Sequence, residues 1–203
     1  MTTIGLQAIL KLSESKLYDY FIAQCPEGVH LKGVDDYKYI ACNKTTSQVF
    51  GLNDPNDMIG STIHDLDKKF MRKFWGDTYA DNIAKLDHQV KDSGEAVFSN
   101  NDILLNGLNQ VRIQNLVKFP FKGKNNKVTA ILSITNDLTK NADLFYLWDL
   151  YKKMHKNMAS AITNFAAYLK IDKDLMHNPI TEKEIISLLN LIRNQSHRGT
   201  KKS

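Results

Sequence analysis

The chain has 203 residues, 42% hydrophobic and 24% charged, the proportions of a soluble globular protein able to bury one core of ordinary size plus a helical extension. The start, MTTIGLQAILKLSES, lacks the segments of a secretory signal and no run of about 18 apolar residues follows, so a membrane span is excluded and a cytoplasmic location is expected. Cys25 and Cys42 are too few for a disulfide framework, and Arg193, Arg198, Lys201 and Lys202 supply four of the five excess positive charges, leaving a nearly neutral body and a basic tail that reads as a solvated terminus.

Leu6, Ile9, Leu10, Leu17, Phe21 and Ile22 recur at helical spacing up to Pro26, which predicts a helical segment over 1–26. From Gly28 the period changes, and GVHLKGVDD with YKYIAC predicts a hairpin turning at Asp35 and Asp36. Asn43 stands where a helix N-cap belongs, before KTTSQVF, and Gly51 ends that helix. Asp54 and Pro55 repeat the logic up to Gly60, and Ser61 is expected to cap the turn TIHDL. Trp75, in KKFMRKFWGD, fits either a core or a basic-aromatic contact surface. Between Asp77 and Asp92, Tyr79, Ile83, Leu86 and Val90 fall on one face of an amphipathic helix.

EAVFSNN, QVRIQNLVKFPF and KVTAILSITND then predict three strands, the last two joined by the turn KGKNNK. Val111, Ile113, Val117, Phe119 and Phe121 share one parity, as do Val128, Ala130, Leu132 and Ile134, and these sets are expected to form the inner face of the sheet. The element order gives an α+β fold, a five-stranded antiparallel sheet with covering helices followed by a long helical extension.

No Pro or Gly lies between Gly123 and Pro179, and Leu147, Tyr151, Met154, Met158, Ile162, Phe165 and Leu169 follow steps of four or three residues, near a heptad seam. Such a stripe must pair with a second copy or fold back on the domain. The expectation is a signalling and dimerisation helix over 140–178, with Leu147, Trp148, Tyr151, Met154, Met158 and Ile162 at a homodimer interface. Past Pro179, the capping box from Thr181 to Glu184 opens a short apolar-periodic helix, IISLLNLIRN, within 179–203.

The segment from about Tyr37 to Thr139 resembles the PAS family. YKYIACNKTTSQVFGL is similar to that family's strand, capping Asn and short helix ending in Gly, and DMIGSTIHDL to its Ile-Gly turn. Asp137-Leu138-Thr139 matches its closing Asp-Ile/Leu-Thr triplet, and Pro120 stands where its penultimate strand often carries proline. The resemblance implies a sensory domain over 27–139 with a small-molecule cavity between sheet and long helix, lined here by Ile83, Leu86, Ile113, Asn115, Val117, Leu132 and Ile134. Asn115 interrupts an apolar set, so it bonds a ligand, bonds a neighbouring backbone group or marks a bulge.

The resemblance also argues against haem, because positions 77–81, where haem-binding relatives place the ligand, are Asp, Thr, Tyr, Ala and Asp, and His88 falls late on the helix. A covalent flavin lacks its reactive Cys on the helix before the long one. No catalytic or metal site is expected. His30, His64, His177 and His197 show no ligand spacing, Asp35 and Asp36 form a turn, and His155, in YKKMHKNMAS, is a poor match to a kinase phosphoacceptor.

Ile180 to Ser196 resembles the opening of the LuxR-type helix-turn-helix, whose first helix begins Leu-Thr-x-Arg-Glu. Ile180, Thr181, Lys183 and Glu184 occupy those places, with Leu188, Leu189, Leu191 and Ile192 as the apolar face. That domain needs about two more helices, including the one that enters the major groove, so DNA contact is not expected of this chain. The resemblances imply a bacterial sensory protein without enzymatic activity, a PAS-LuxR type regulator of transcription lacking a complete DNA-binding domain. The alternative is a PAS-type interaction or dimerisation module with neither ligand nor DNA contact.

Overall fold

Side-chain caps place the elements of the first half. The computed structural model describes residues 20–71, 79–123, 125–171 and 180–199. β1 (Gly28–Gly33) and β2 (Tyr39–Cys42) form the expected hairpin. Asn43 caps α1 (Lys44–Val49): its Oδ1 accepts from Thr46 N–H at 3.0 Å and Val29 N–H at 3.1 Å, while its Nδ2 donates to the Cys25 and Glu27 carbonyls. One amide thus closes a helix end and ties β1 to the segment before it.

Asp54 and Pro55 open a 3-10 turn over Pro55–Met58. α2 (Ile63–Leu66) is capped by Thr62 instead of Ser61, because Asp65 lies three residues beyond Thr62 and exchanges both bonds of a capping box with it. α3 (Tyr79–Ser93) then leads into β3 (Val97–Leu105), β4 (Val111–Lys122) and β5 (Val128–Asp137). The sheet order is β2-β1-β5-β4-β3 with every neighbouring pair antiparallel.

β4 is covered differently at its two ends. Gln114, Leu116 and Lys118 are buried on the face toward α3, where Leu116 joins a core with Tyr39, Phe50, Met58, Leu66 and Ile83. Val111 and Ile113 have the opposite parity and enter a second core with Leu147, Trp148, Phe165, Ile185 and Leu189. The expected sidedness is therefore inverted. Asn115, Val117, Leu132 and Ile134 lie on the face away from α3, and Ile113 packs under the C-terminal helices. The odd-numbered residues of β4 are the more apolar set, but the even set buries Gln114 and Lys118 because partners distant in sequence satisfy them.

The extension is two helices, not one. α4 (Leu144–Met154) and α5 (Met158–Tyr168) break at 155–157, where Asn157 caps α5 by accepting from Ser160 N–H at 2.8 Å. With α6 (Glu182–Gly199) they fold back onto the end of β4. Leu147, Trp148 and Tyr151 are buried inside the chain, Met154 and Ile162 pack partly buried beside them, and Met158 is exposed. The stripe assigned to a homodimer seam is thus largely internal, which corrects the single helix over 140–178. α6 opens with the expected Thr181–Glu184 box. It buries Ile185 and Leu189 and leaves Leu191 60% exposed, so its packed face is rotated from the one expected. Leu6, Ile9, Leu10, Leu17, Trp75 and His177 lie outside the described residues.

Candidate functional site

The stripe of α3 that faces the sheet is Ala80, Ile83, Asp87 and Val90, so helical spacing carries a carboxylate into the core. There Asp87 Oδ2 accepts from Lys32 Nζ of β1 at 2.7 Å, and Oδ1 from Lys118 Nζ of β4 at 2.6 Å. Lys118 also donates to Ser133 Oγ at 3.2 Å, and Lys32 Nζ sits 4.6 Å from the centre of the Tyr39 ring. All three charged residues are at most 1% exposed. His30, one alternation from Lys32 on β1, is 6% exposed, and neither ring nitrogen has a hydrogen-bond partner.

Two ammonium groups therefore share one carboxylate away from water, where an unbalanced charge costs several kcal/mol. Burial pushes the Lys32 ammonium down to about 8, with Lys118 adding to the shift and Asp87 opposing it. Burial would raise Asp87, but Lys118 and Lys32 outweigh it and hold the carboxyl below its ordinary value. His30 is driven well below the usual imidazole range by burial first, then by Lys118 and Lys32.

A cavity of about 30 Å³ adjoins the cluster, room for one water. Its walls are His30, Tyr39, Thr46, Val49, Phe50, Ile63, Tyr79, Ile83, Gln114, Leu116, Lys118 and Thr135. Of the lining read from the sequence only Ile83 is among them. Leu86 borders a separate groove with Tyr79, Gln89, Ser99 and Asp102. Asn115 accepts from Asn101 N–H at 2.9 Å, where β3 bulges between Ser99 and Asp102. Ile113, Val117, Leu132 and Ile134 do not reach the cavity.

The polar members Lys32, His30, Asp87 and Lys118 were missed by hydropathy. The available signal was an acid at the fourth position after Ile83, inside the apolar stripe of α3. His88 is exposed and pairs with the Tyr37 hydroxyl at 2.9 Å. His155 places Nδ1 2.9 Å from the Tyr151 carbonyl and Nε2 3.0 Å from the Asn109 carbonyl. These contacts pin the α4–α5 break to the β3–β4 loop. The closing triplet forms the other hinge: Asp137 accepts from Thr139 N–H and Arg112, and Thr139 Oγ1 accepts from Ile113 N–H at 3.0 Å. Among the described residues no three metal-binding side chains converge, and no helix is long and apolar enough to cross a membrane.

No protein-family model and no curated protein matches the sequence. Solved structures do match. The chain is similar to the Vibrio cholerae VqmA dimer without target DNA, from work on LuxR-type receptors, at 20% identity and TM-score 0.52 over 64% of this chain and 53% of that one. It thus spans about half of that chain. The VqmA–ligand–DNA complex is similar at 17% identity and TM-score 0.53, covering 80% of this chain and 75% of that one. The PAS domain of Bordetella pertussis BvgS is similar at 20% identity and TM-score 0.52, covering 69% and 98%. The antiparallel sheet with α1–α3 on one face has the PAS fold.

Proposed function

We propose that this protein is a cytoplasmic bacterial sensory module in which occupancy beneath α3 biases how α4, α5 and α6 pack on the end of the sheet, with regulation of transcription as the output. The observation that carries this reading is the division of β4. Lys118, Leu116 and Gln114 border the cavity, while Ile113 and Val111 of the same strand lie in the core shared with the C-terminal helices. Close-packed interiors hold little slack, so a small displacement at one end of the strand is felt at the other. A ligand that binds one arrangement better shifts the population toward it.

The transcriptional output rests on the VqmA likeness and on the LuxR-like opening of α6 at Thr181 and Glu184. A homodimer belongs to the same reading, with an interface that excludes Leu147, Trp148 and Tyr151, since these are consumed inside the chain. The chain binds and transmits, and no reaction is assigned to it.

Native mass spectrometry of the purified protein, paired with hydrogen exchange before and after removal of any adduct, tests the proposal. A retained small molecule and changed protection over 144–168 on its removal are expected. Unchanged exchange there would refute transmission. Duplex titration at two salt concentrations reads the output: sequence-specific binding places the DNA contact in this chain, and its absence places it elsewhere. A second reading, a filled-core interaction module, is favoured by the small cavity volume of about 30 Å³, and a chain that never carries an adduct would support it.

A further inference from the structure

We propose that the outward face of the sheet over β3, β4 and β5 is the surface through which two copies of this chain associate. This rests on the sensory reading above and assigns its homodimer a surface. Phe98 of β3 stands opposite Val117 of β4, which stands opposite Ile134 of β5. Phe119 and Leu132 form the next such row, about 7 Å along the strands. Directly opposed residues share a face, so all five side chains project from the side away from α3. Val29, the next residue of the first row, is buried, which bounds the open face at β1.

An antiparallel sheet with one face on a core commonly turns a polar face to water. This one presents Phe98, 66% exposed, and Phe119, 38% exposed. Among the described residues these five side chains join none of the three hydrophobic cores. At about 200 Å² for a phenylalanine, the two rings alone leave roughly 200 Å² of apolar surface in water. Half-buried Val117, Leu132 and Ile134 lie beside them and extend the patch to the size that marks a contact surface.

Charge selects a second copy as the occupant. No acid or base stands at an outward position of β4 from 115 to 121 or of β5 from 130 to 136. In a two-fold contact each surface meets its own copy, and a charge near the axis would meet its like. This face carries none, whereas a charged partner would have to strip water from its ions against it. The opposed Asn115 and Asn136 supply a polar rim at one end. The patch falls short of the roughly 800 Å² per partner of a standard interface, so the dimer is reversible and its population depends on concentration. Val117 and Phe119 flank Lys118 in β4, so the strand that borders the cavity also carries the contact.

The test is sedimentation velocity of the full chain over a wide range of concentration, with Phe98→Asp, Phe119→Asp and, away from the face, Met158→Glu. Wild type and Met158→Glu are expected to pass from monomer to dimer at the same midpoint, and each phenylalanine variant to need at least about tenfold more protein. If those variants do not fold by circular dichroism, isotope-filtered NOEs in a mixture of ¹³C-labelled and unlabelled wild-type chain decide. The methyl groups of Val117, Leu132 and Ile134 are expected to show contacts to the unlabelled copy. A dimer indifferent to both phenylalanine substitutions, or one without those NOEs, would overturn the proposal. So would a wild type that stays monomeric, including one that pairs only once residues 1–19 are removed, since the face would then belong to the chain's own N-terminal segment. If the chain is monomeric and its exchange over 144–168 still answers to a retained molecule, only the surface is wrong. If it pairs through this face and 144–168 never responds, the surface stands and the sensory reading falls.

Discussion

Asp87→Asn tests whether the buried cluster is held by charge. The wild-type carboxylate accepts from Lys32 at 2.7 Å on one oxygen and from Lys118 at 2.6 Å on the other. Asparagine keeps one acceptor and turns an NH₂ group toward the second ammonium, donor against donor. Removing one partner of a buried ion pair costs about 3–5 kcal/mol, and here two lysines lose the same partner, so the upper part of that range is expected. Against a total stability of about 5–15 kcal/mol the variant keeps a narrow margin at pH 7. The penalty must also depend on pH. Lys32 titrates at about 8 in the folded chain against an ordinary 10.5, so between those values the unfolded chain binds more protons and stability rises with pH. Without Asp87 the folded Lys32 sheds its proton at lower pH still, and the deficit of the variant should shrink from pH 7 to pH 9. Cys42, whose thiol burial pushes up to about 11, titrates alike in both chains and cancels from the difference. Urea unfolding followed by circular dichroism at pH 6, 7, 8 and 9 measures both quantities. Adding Lys32→Met to the variant should restore part of the loss. A penalty under about 1 kcal/mol at pH 7, the size of one ordinary hydrogen bond, or one that grows with pH, would refute the reasoning.

Asn43→Ala removes four hydrogen bonds that join α1, β1 and the preceding segment, and should cost about 2–3 kcal/mol by denaturant unfolding. Gly107→Ala places a Cβ 2.4 Å from the backbone nitrogen of Gly51 and 2.6 Å from the carbonyl carbon of Phe50; main chain must move, so a loss of about 2 kcal/mol or more is expected, visible as a lowered thermal midpoint. Trp148→Ala should cost about 3–5 kcal/mol. Met158→Glu, at an exposed site, should stay within about 0.5 kcal/mol and leave the mass by light scattering unchanged.

Local chemistry was legible in the sequence and side-to-side placement was not. The helix-capping bonds of Asn43, Asp54 with Pro55, and Thr181 with Glu184 act within four residues of chain, so those roles follow from spacing alone, whereas the bonds of Asn43 to Cys25, Glu27 and Val29 do not. The facing of β4 does not. Its odd residues are nearly all apolar, yet the cavity takes Gln114, Leu116 and Lys118, because Lys118 is neutralised by Asp87, 31 residues away. Hydropathy cannot see a charge balanced at that distance. The heptad-like stripe of the extension is apolar, and its steps run unbroken through 155–157, which conceals the cap at Asn157. Ser160, three residues on, was the cue.

The two-sided wiring of β4 also constrains how its length can vary in related chains. Deleting a single residue between Ile113 and Lys118 would swap inside for outside along one half of the ribbon, sending the ammonium out toward solvent or the isoleucine away from its aromatic neighbours. Removing two would keep the phase but shorten the strand by roughly 7 Å and pull the C-terminal helices off their seat. Natural variation in span should therefore collect in the hairpin turn at 123–127, leaving the stretch from Val111 to Lys118 fixed in length.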